Sequence, residues 1–287
     1  VSLPGDAPTR PLAFRRMERR RFLLFLAAGL AGAAVSRGTA GLVVAEQAPL
    51  PTAVPASATE PVTPALEPPV GVVDRLPGEG TSLALTVDDG TSSEVVEAFC
   101  TLAADTGVRL TFFPNGRYRS WEENGDLLQP LIDSGQVAMG NHTWSHPDIT
   151  MLGDDELAEE IGRNRDFLAS TFGVRDSPFF RPPFGARNER TDRICAEQGH
   201  PTVVMWNGTL SDHRVITGDQ LLAAAREWFT AQAIVVGHAN HRTVTTVYDE
   251  LLALIADRGL KTVTLADVWA RPGLLRGDAV AGRAAVS

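Results

Sequence analysis

From residue 80 onward the chain alternates between short apolar runs and longer amphipathic stretches. The runs are rich in Val, Ile, Thr and Phe and fall at 82–87, 109–113, 136–139, 179–180, 202–206, 234–236 and 261–265. Their length and β-branched content predict strands. Between them, residues 93–105 carry Val96, Phe99, Cys100 and Ala103 at three-to-four spacing, and residues 154–171 place Leu157, Ile161, Arg165 and Leu168 on one face. Residues 219–230 and 244–256 follow the same period, so four helices are predicted there. Gly107, Gly135, Gly173, Gly199 and Gly259 close these segments as C-terminal helix glycines do. Seven strands separated by helices predict a parallel sheet, because parallel neighbours need crossover connections. Roughly 190 residues carry the pattern, which leaves an open doubly wound sheet and a small barrel both open.

The chain before residue 80 follows other rules. Arg15, Arg16, Arg19, Arg20 and Arg21 form a basic head, and residues 22–35 carry no charge or polar side chain. That apolar core suits a signal peptide and is shorter than the ~20 residues of a spanning helix. Residues 1–40 are therefore expected to be an export signal, with cleavage after Ala40 or Ala45. Arg19-Arg20-Arg21-Phe22-Leu23 also resembles the twin-arginine pattern, and the two export routes stand about even. Pro49, Pro51, Pro55, Pro61, Pro64, Pro68, Pro69 and Pro77 then mark residues 41–79 as an extended linker, since proline removes backbone donors and cannot support a sheet ladder. Residues 80–272 are the expected catalytic domain and 273–287 a tail.

Composition narrows the function. The 287 residues are 44% hydrophobic and 21% charged, which excludes a wholly disordered chain. Lys and Arg number 26 against 35 Asp and Glu; losing seven Arg and two acids with residues 1–40 leaves 19 against 33, a net charge of −14. So acidic a surface argues against nucleic-acid binding. No membrane span is expected once the signal is cleaved, and the product is expected to be an exported monomer, extracellular or associated with the cell wall. Two Cys, Cys100 and Cys195, are too few for a disulfide scaffold or a Cys-based zinc site. A single bridge and two buried thiols are both compatible with them.

In parallel α/β folds the active site lies beyond the carboxyl ends of the strands. Asp88-Asp89-Gly90 follows the first predicted strand, and Asn141-His142-Thr143-Trp144-Ser145-His146 follows the third. Arg181-Pro182-Pro183-Phe184-Gly185 ends the fourth, Asp212-His213 lies beyond the fifth, and His238 closes the sixth. Singly, each has a bland reading: a turn, a capping histidine, a surface ion pair. Together they deliver acids, imidazoles and a guanidinium to one rim. The spacing His-x-x-x-His would set two imidazoles one helical turn apart, within reach of one ion. Two imidazoles and a carboxylate form a three-ligand site with open positions, the pattern of a catalytic metal.

Thr86-Val87-Asp88-Asp89-Gly90, His142 to His146, Arg181-Pro182-Pro183-Phe184-Gly185 and the late His238 resemble the polysaccharide deacetylase (NodB-homology) family, carbohydrate esterase family 4, over about residues 80–270. The resemblance implies a distorted (β/α) barrel of about seven parallel strands. It also implies metal-dependent removal of acetyl groups from a polysaccharide. Asp88 would be the general base and Asp89, His142 and His146 the ligands of one divalent ion, zinc foremost, with cobalt or nickel also accommodated. Arg181 would orient the base, the Phe184 N–H would face the oxyanion, His238 would be the general acid, and Asp212 would hold it. Val236 would line an acetyl pocket. His213 stands where relatives commonly carry a groove-forming Trp, and Ala239 where an acid is usual. The expected substrate is a GlcNAc-containing polymer, peptidoglycan ahead of chitin. The alternatives are an O-acetyl esterase of xylan or another wall glycan, and a wall-binding domain without catalysis.

Overall fold

The computed structural model describes residues 66–270. The segments expected to be an export signal and a tail, and most of the expected linker, lie outside them. Among the described residues nine strands occur: β1 (Gly71–Val73), β2 (Ser82–Asp89), β3 (Leu110–Pro114), β4 (Val137–Met139), β5 (Phe179–Phe180), β6 (Thr202–Val204), β7 (Gly208–Thr209), β8 (Ala233–His238) and β9 (Lys261–Val263). All ladders between them are parallel. One sheet runs β4-β3-β2-β8-β7, and the other β1-β6-β5. A parallel bridge from Asn141 to Phe180 links β4 to β5, and β6 runs on through three residues into β7. Seven strands, β2 to β8, thus wrap into an incompletely hydrogen-bonded (β/α) barrel. β9 shares one edge of β2 with β3: it pairs the first three residues, and β3 pairs the last four.

The helices are α1 (Ser93–Thr106), α2 (Ser120–Glu123), α3 (Gly125–Asp133), α4 (Asp154–Phe172), α5 (Glu189–Glu197), α6 (Gly218–Trp228), α7 (Tyr248–Asp257) and α8 (Leu265–Val268). Local chemistry sets their ends. The Ser92 side chain caps α1, and Gly107 and Gly173 end α1 and α4 in the left-handed region. The predicted helix at 244–256 splits, because Arg242–Thr246 form a 3-10 turn before α7 begins. α3 was hidden by its internal Pro130, and β7 by its two-residue length.

The expectation that the linker could build no ladder fails at its end. Gly71–Val73 pairs with Thr202–Val204, and Leu66 bridges Trp269. Between Pro69 and Pro77 there is no proline, so every N–H of Val70 to Leu76 is available to a ladder.

Alternation along the strands divides the core. Leu83, Val87, Leu110, Phe112, Val137, Met139, Ala233 and Val235 face the helices, in a cluster with Val96, Phe99, Leu128 and Leu221. Ala84, Phe113, Phe179, Val204 and Ile234 point inward with Leu76, Leu265 and Trp269. Cys100 and Cys195 are both buried and free, in separate clusters. Burial pushes the Cys100 thiol up to about 12, which leaves it unreactive. No described helix is long and apolar enough to cross a membrane.

Candidate metal centre and catalytic rim

Because the strands run parallel, their C-terminal ends share one rim. Asp88 and Asp89 end β2, His238 ends β8, Arg181 follows β5, His142 follows β4, and Asp212 lies three residues past β7. Even-numbered positions of β2 and β8 face inward, so Thr86 and Asp88 sit on the same side as Val236 and His238.

Asp89, His142 and His146 converge. Asp89 Oδ1 lies 3.3 Å from His142 Nε2 and 3.3 Å from His146 Nε2, and the three ligand atoms lie within 4.8 Å of one another. Among the described residues this is the one such group of His, Cys, Asp and Glu. Two observations fit a divalent cation there. Asp89 Oδ1 is buried and accepts no hydrogen bond, although such an oxygen is costly to leave unsatisfied. His142 Nδ1 lies 2.7 Å from the Arg181 carbonyl and must donate to it, which leaves the Nε2 lone pair for the ion. Burial opposes ionisation of Asp89, but His142, His146 and His238 outweigh it and hold its pKa well below the usual carboxylate range. Burial is the largest influence on His146 and lowers its pKa below the ordinary value, with Asp89 and Asp88 opposing it.

The two histidines reach each other by a route the spacing did not predict. Residues 142–153 form a loop, not a helix, and Thr143 and His146 take positive φ of 66° and 64°. Folding back through these two residues brings the rings to 5.0 Å. Amide side chains and one acid hold the loop. Asn115 Nδ2 donates to the His142 carbonyl, Asn141 Oδ1 accepts from the Thr143 N–H and from Asn164, and Glu160 accepts from the Ser145 N–H and hydroxyl. The Trp144 ring lies under Arg163 and against Phe167. Asp89 itself has φ 72°, as do few non-glycine residues, and Phe184 and Ser211 are likewise left-handed. Five of the six such residues among those described thus lie at the rim, where the surrounding hydrogen bonds can hold the strain.

Beside the triad lies the pair Asp88 and Arg181. Arg181 is fully buried; Nη1 donates to Asp88 Oδ1 at 3.0 Å and to Thr86 Oγ1 at 2.6 Å, and Nε donates to the Val204 carbonyl. Its guanidinium lies over the Phe113 ring at 4.4 Å. Burial pulls its pKa down, and Asp88 opposes that. Asp88 Oδ2 stays 3.9 Å from His142 Nε2, outside the ligand group and facing it.

On the opposite side, His238 Nδ1 lies 2.9 Å from Asp212 Oδ1, and the His238 N–H donates to Asp212 Oδ2. Burial alone would lower the His238 pKa, but Asp212 first, then Asp88 and Asp89, push it up to about 9. The folded state therefore binds this proton more tightly than the unfolded chain. The resulting stability is complete below pH 6.5 and is lost as pH rises through 9. In Asp212→Asn, the His238 titration midpoint read by NMR is expected to fall well below 9. Stability at pH 6 should drop by on the order of 2 kcal/mol. An unmoved midpoint would show that Asp212 does not set it.

Phe184 is 72% exposed, with its ring edge-on to His146 at 4.5 Å. His213 is exposed, its ring 6.2 Å from that of His238. Val236 is buried on the inward face of β8. Sequence reading missed three supports. Trp121 donates its indole N–H to the Asp89 carbonyl, Ser120 donates to the Gly90 carbonyl, and Asn240 donates to Asp89 Oδ2. A side chain at Gly90 would overlap the Trp121 ring, which explains the glycine after the paired acids.

A parallel barrel with a two-histidine, one-carboxylate centre beside a buried Asp–Arg pair defines the class. Residues 75–203 match the family described as polysaccharide deacetylase. Among relatives, the peptidoglycan-N-acetylglucosamine deacetylase PgdA of Listeria monocytogenes is 28% identical over 191 residues, 65% of this chain and 38% of that protein. The chain thus spans about two fifths of the length of such relatives. Among solved structures, BA3943 of Bacillus anthracis, a CE4 family pseudoenzyme, superposes with a TM-score of 0.62 at 20% identity, covering 70% of this chain and 69% of that one. The Bc1960 peptidoglycan N-acetylglucosamine deacetylase gives 0.60 at 22%, covering 69% and 92%. At such identities the structures establish the fold.

Proposed function

We propose that this protein is an exported, metal-dependent hydrolase that removes N-acetyl groups from a GlcNAc-containing wall polysaccharide, peptidoglycan before chitin. One observation carries the reading: the ligand triad, the Asp88–Arg181 pair and the His238–Asp212 pair share a single rim. A pseudoenzyme of the same fold would need only the fold, whereas this chain retains a complete set of acid, base and ligands. The relatives' names point to peptidoglycan, and the export signal and linker expected from the sequence support a location at the wall.

Asp89, His142 and His146 would hold the cation, zinc foremost. When bound, it supplies a Lewis acid for the acetyl carbonyl and lowers the pKa of a neighbouring water. Asp88 accepts the proton of the attacking water, and Arg181, donating to its Oδ1, keeps the carboxylate aimed. The Phe184 N–H donates to the oxygen on which negative charge develops. His238, protonated at neutral pH, gives its proton to the departing sugar nitrogen, which is otherwise a poor leaving group. Phe184 and His213 flank the sugar, and Val236 lies under the acetyl methyl.

Acetate release from peptidoglycan, N-acetylchitooligosaccharides and acetylated xylan, with and without a chelator, tests this. Release from the N-acetylated polymers that stops on chelation and returns with zinc is expected. Release from xylan alone would make the protein an O-acetyl esterase. No release by the metal-loaded protein would leave a wall-binding domain.

A further inference from the structure

Asn240 lies two residues past His238, where the chain leaves β8. Both ends of its carboxamide are engaged. Nδ2 donates to Asp89 Oδ2 at 2.6 Å, while Oδ1 accepts from the Thr91 backbone N–H at 3.1 Å and from the Thr91 hydroxyl at 2.8 Å. The second pair fixes the orientation of the amide. Only the oxygen can accept from the Thr91 N–H, so the NH₂ group must face the carboxylate. The backbone adds two further ties: the Ala239 N–H donates to the Asp88 carbonyl, and the Ser92 N–H to the Ala239 carbonyl. Ala239 is fully buried between these strands, which leaves Asn240 as the polar contact from this segment to the acids of β2.

We propose that Asn240 is a positioning residue for the metal ligand Asp89. This rests on the metal-site reading above. A carboxylate with both oxygens free can rotate or ligate through both. Here one oxygen is occupied by an amide that Thr91 holds in place. The other, buried and without a hydrogen bond, is left facing His142 and His146 Nε2. Asn240 thereby makes Asp89 a one-oxygen ligand of fixed direction and keeps coordination positions open for water and the acetyl oxygen. It also ties the ligand to the strand end that carries His238.

The test is metal binding by the full chain after chelator treatment, comparing wild type with Asn240→Ala. Zinc affinity is measured calorimetrically against a competing chelator, and the site geometry by the visible spectrum of the cobalt-loaded protein. Zinc affinity in Asn240→Ala is expected to fall about tenfold or more. The cobalt bands should change as Oδ2 becomes free to ligate, while the unfolding temperature of the metal-free protein stays near that of wild type. Affinity within about twofold of wild type and an unchanged cobalt spectrum would overturn the assignment. If Asn240→Ala fails to fold, Thr91→Val loosens the same amide by removing one of its two donors. A fall in its zinc affinity supports the assignment, and no fall overturns it. Failure of the wild-type chain to take up either metal would overturn the metal-site reading and this assignment with it.

Discussion

Asp88→Asn is expected to lower kcat/KM for deacetylation by about 10²–10⁴-fold while the protein keeps its metal. An amide at this position still accepts from Arg181 Nη1, so the local geometry has no reason to collapse. It cannot take a proton from water. Because Asp88 stands outside the ligand group, equilibrium dialysis should find metal uptake at the wild-type stoichiometry. Activity within tenfold of wild type would remove Asp88 from the role of base, and loss of the metal would make it a ligand instead.

Arg181→Met is expected to destabilise the fold by about 3–5 kcal/mol, because it leaves the buried Asp88 carboxylate without its counter-charge. Thr86 and the carbonyls of Val204 and Met205 lose a donor in the same step. For a domain near 200 residues this lowers Tm by about 10 °C. Asp88→Leu combined with Arg181→Met removes both charges and is expected to regain much of that stability, since a buried pair is worth little against well-packed apolar groups. Activity stays lost in the double variant. Calorimetric unfolding separates these cases, and a single variant within 1 kcal/mol of wild type would contradict the buried-pair account.

Helices whose apolar positions repeat every three to four residues were legible, and α1, α4 and α6 lie within two residues of the predicted bounds. α5 was expected around Cys195 and before Gly199 but without bounds, because charged residues dominate Glu189–Glu197. β1 escaped because it follows a proline-rich stretch and pairs with Thr202–Val204, far away in sequence. Of the site, the residues with distinctive chemistry were visible: the paired acids, the two histidines, Arg181, Asp212 and His238. Asn115, Asn141, Asn164 and Asn240 were not marked as supports, because a carboxamide has no characteristic spacing. Its value here comes from a partner 20 to 151 residues away.

The sequence by itself determined the class of fold and the identity of the reactive groups, since strand alternation, crossover helices and ionisable side chains are local properties. Only the tertiary structure decided how those groups meet. The loop from His142 to His146 turns back through two left-handed residues rather than through the one helical turn its spacing suggested, and Arg181 becomes buried against Asp88. Such arrangements depend on packing and long-range hydrogen bonds, whose partners are set by how distant strands and loops come together rather than by neighbouring residues.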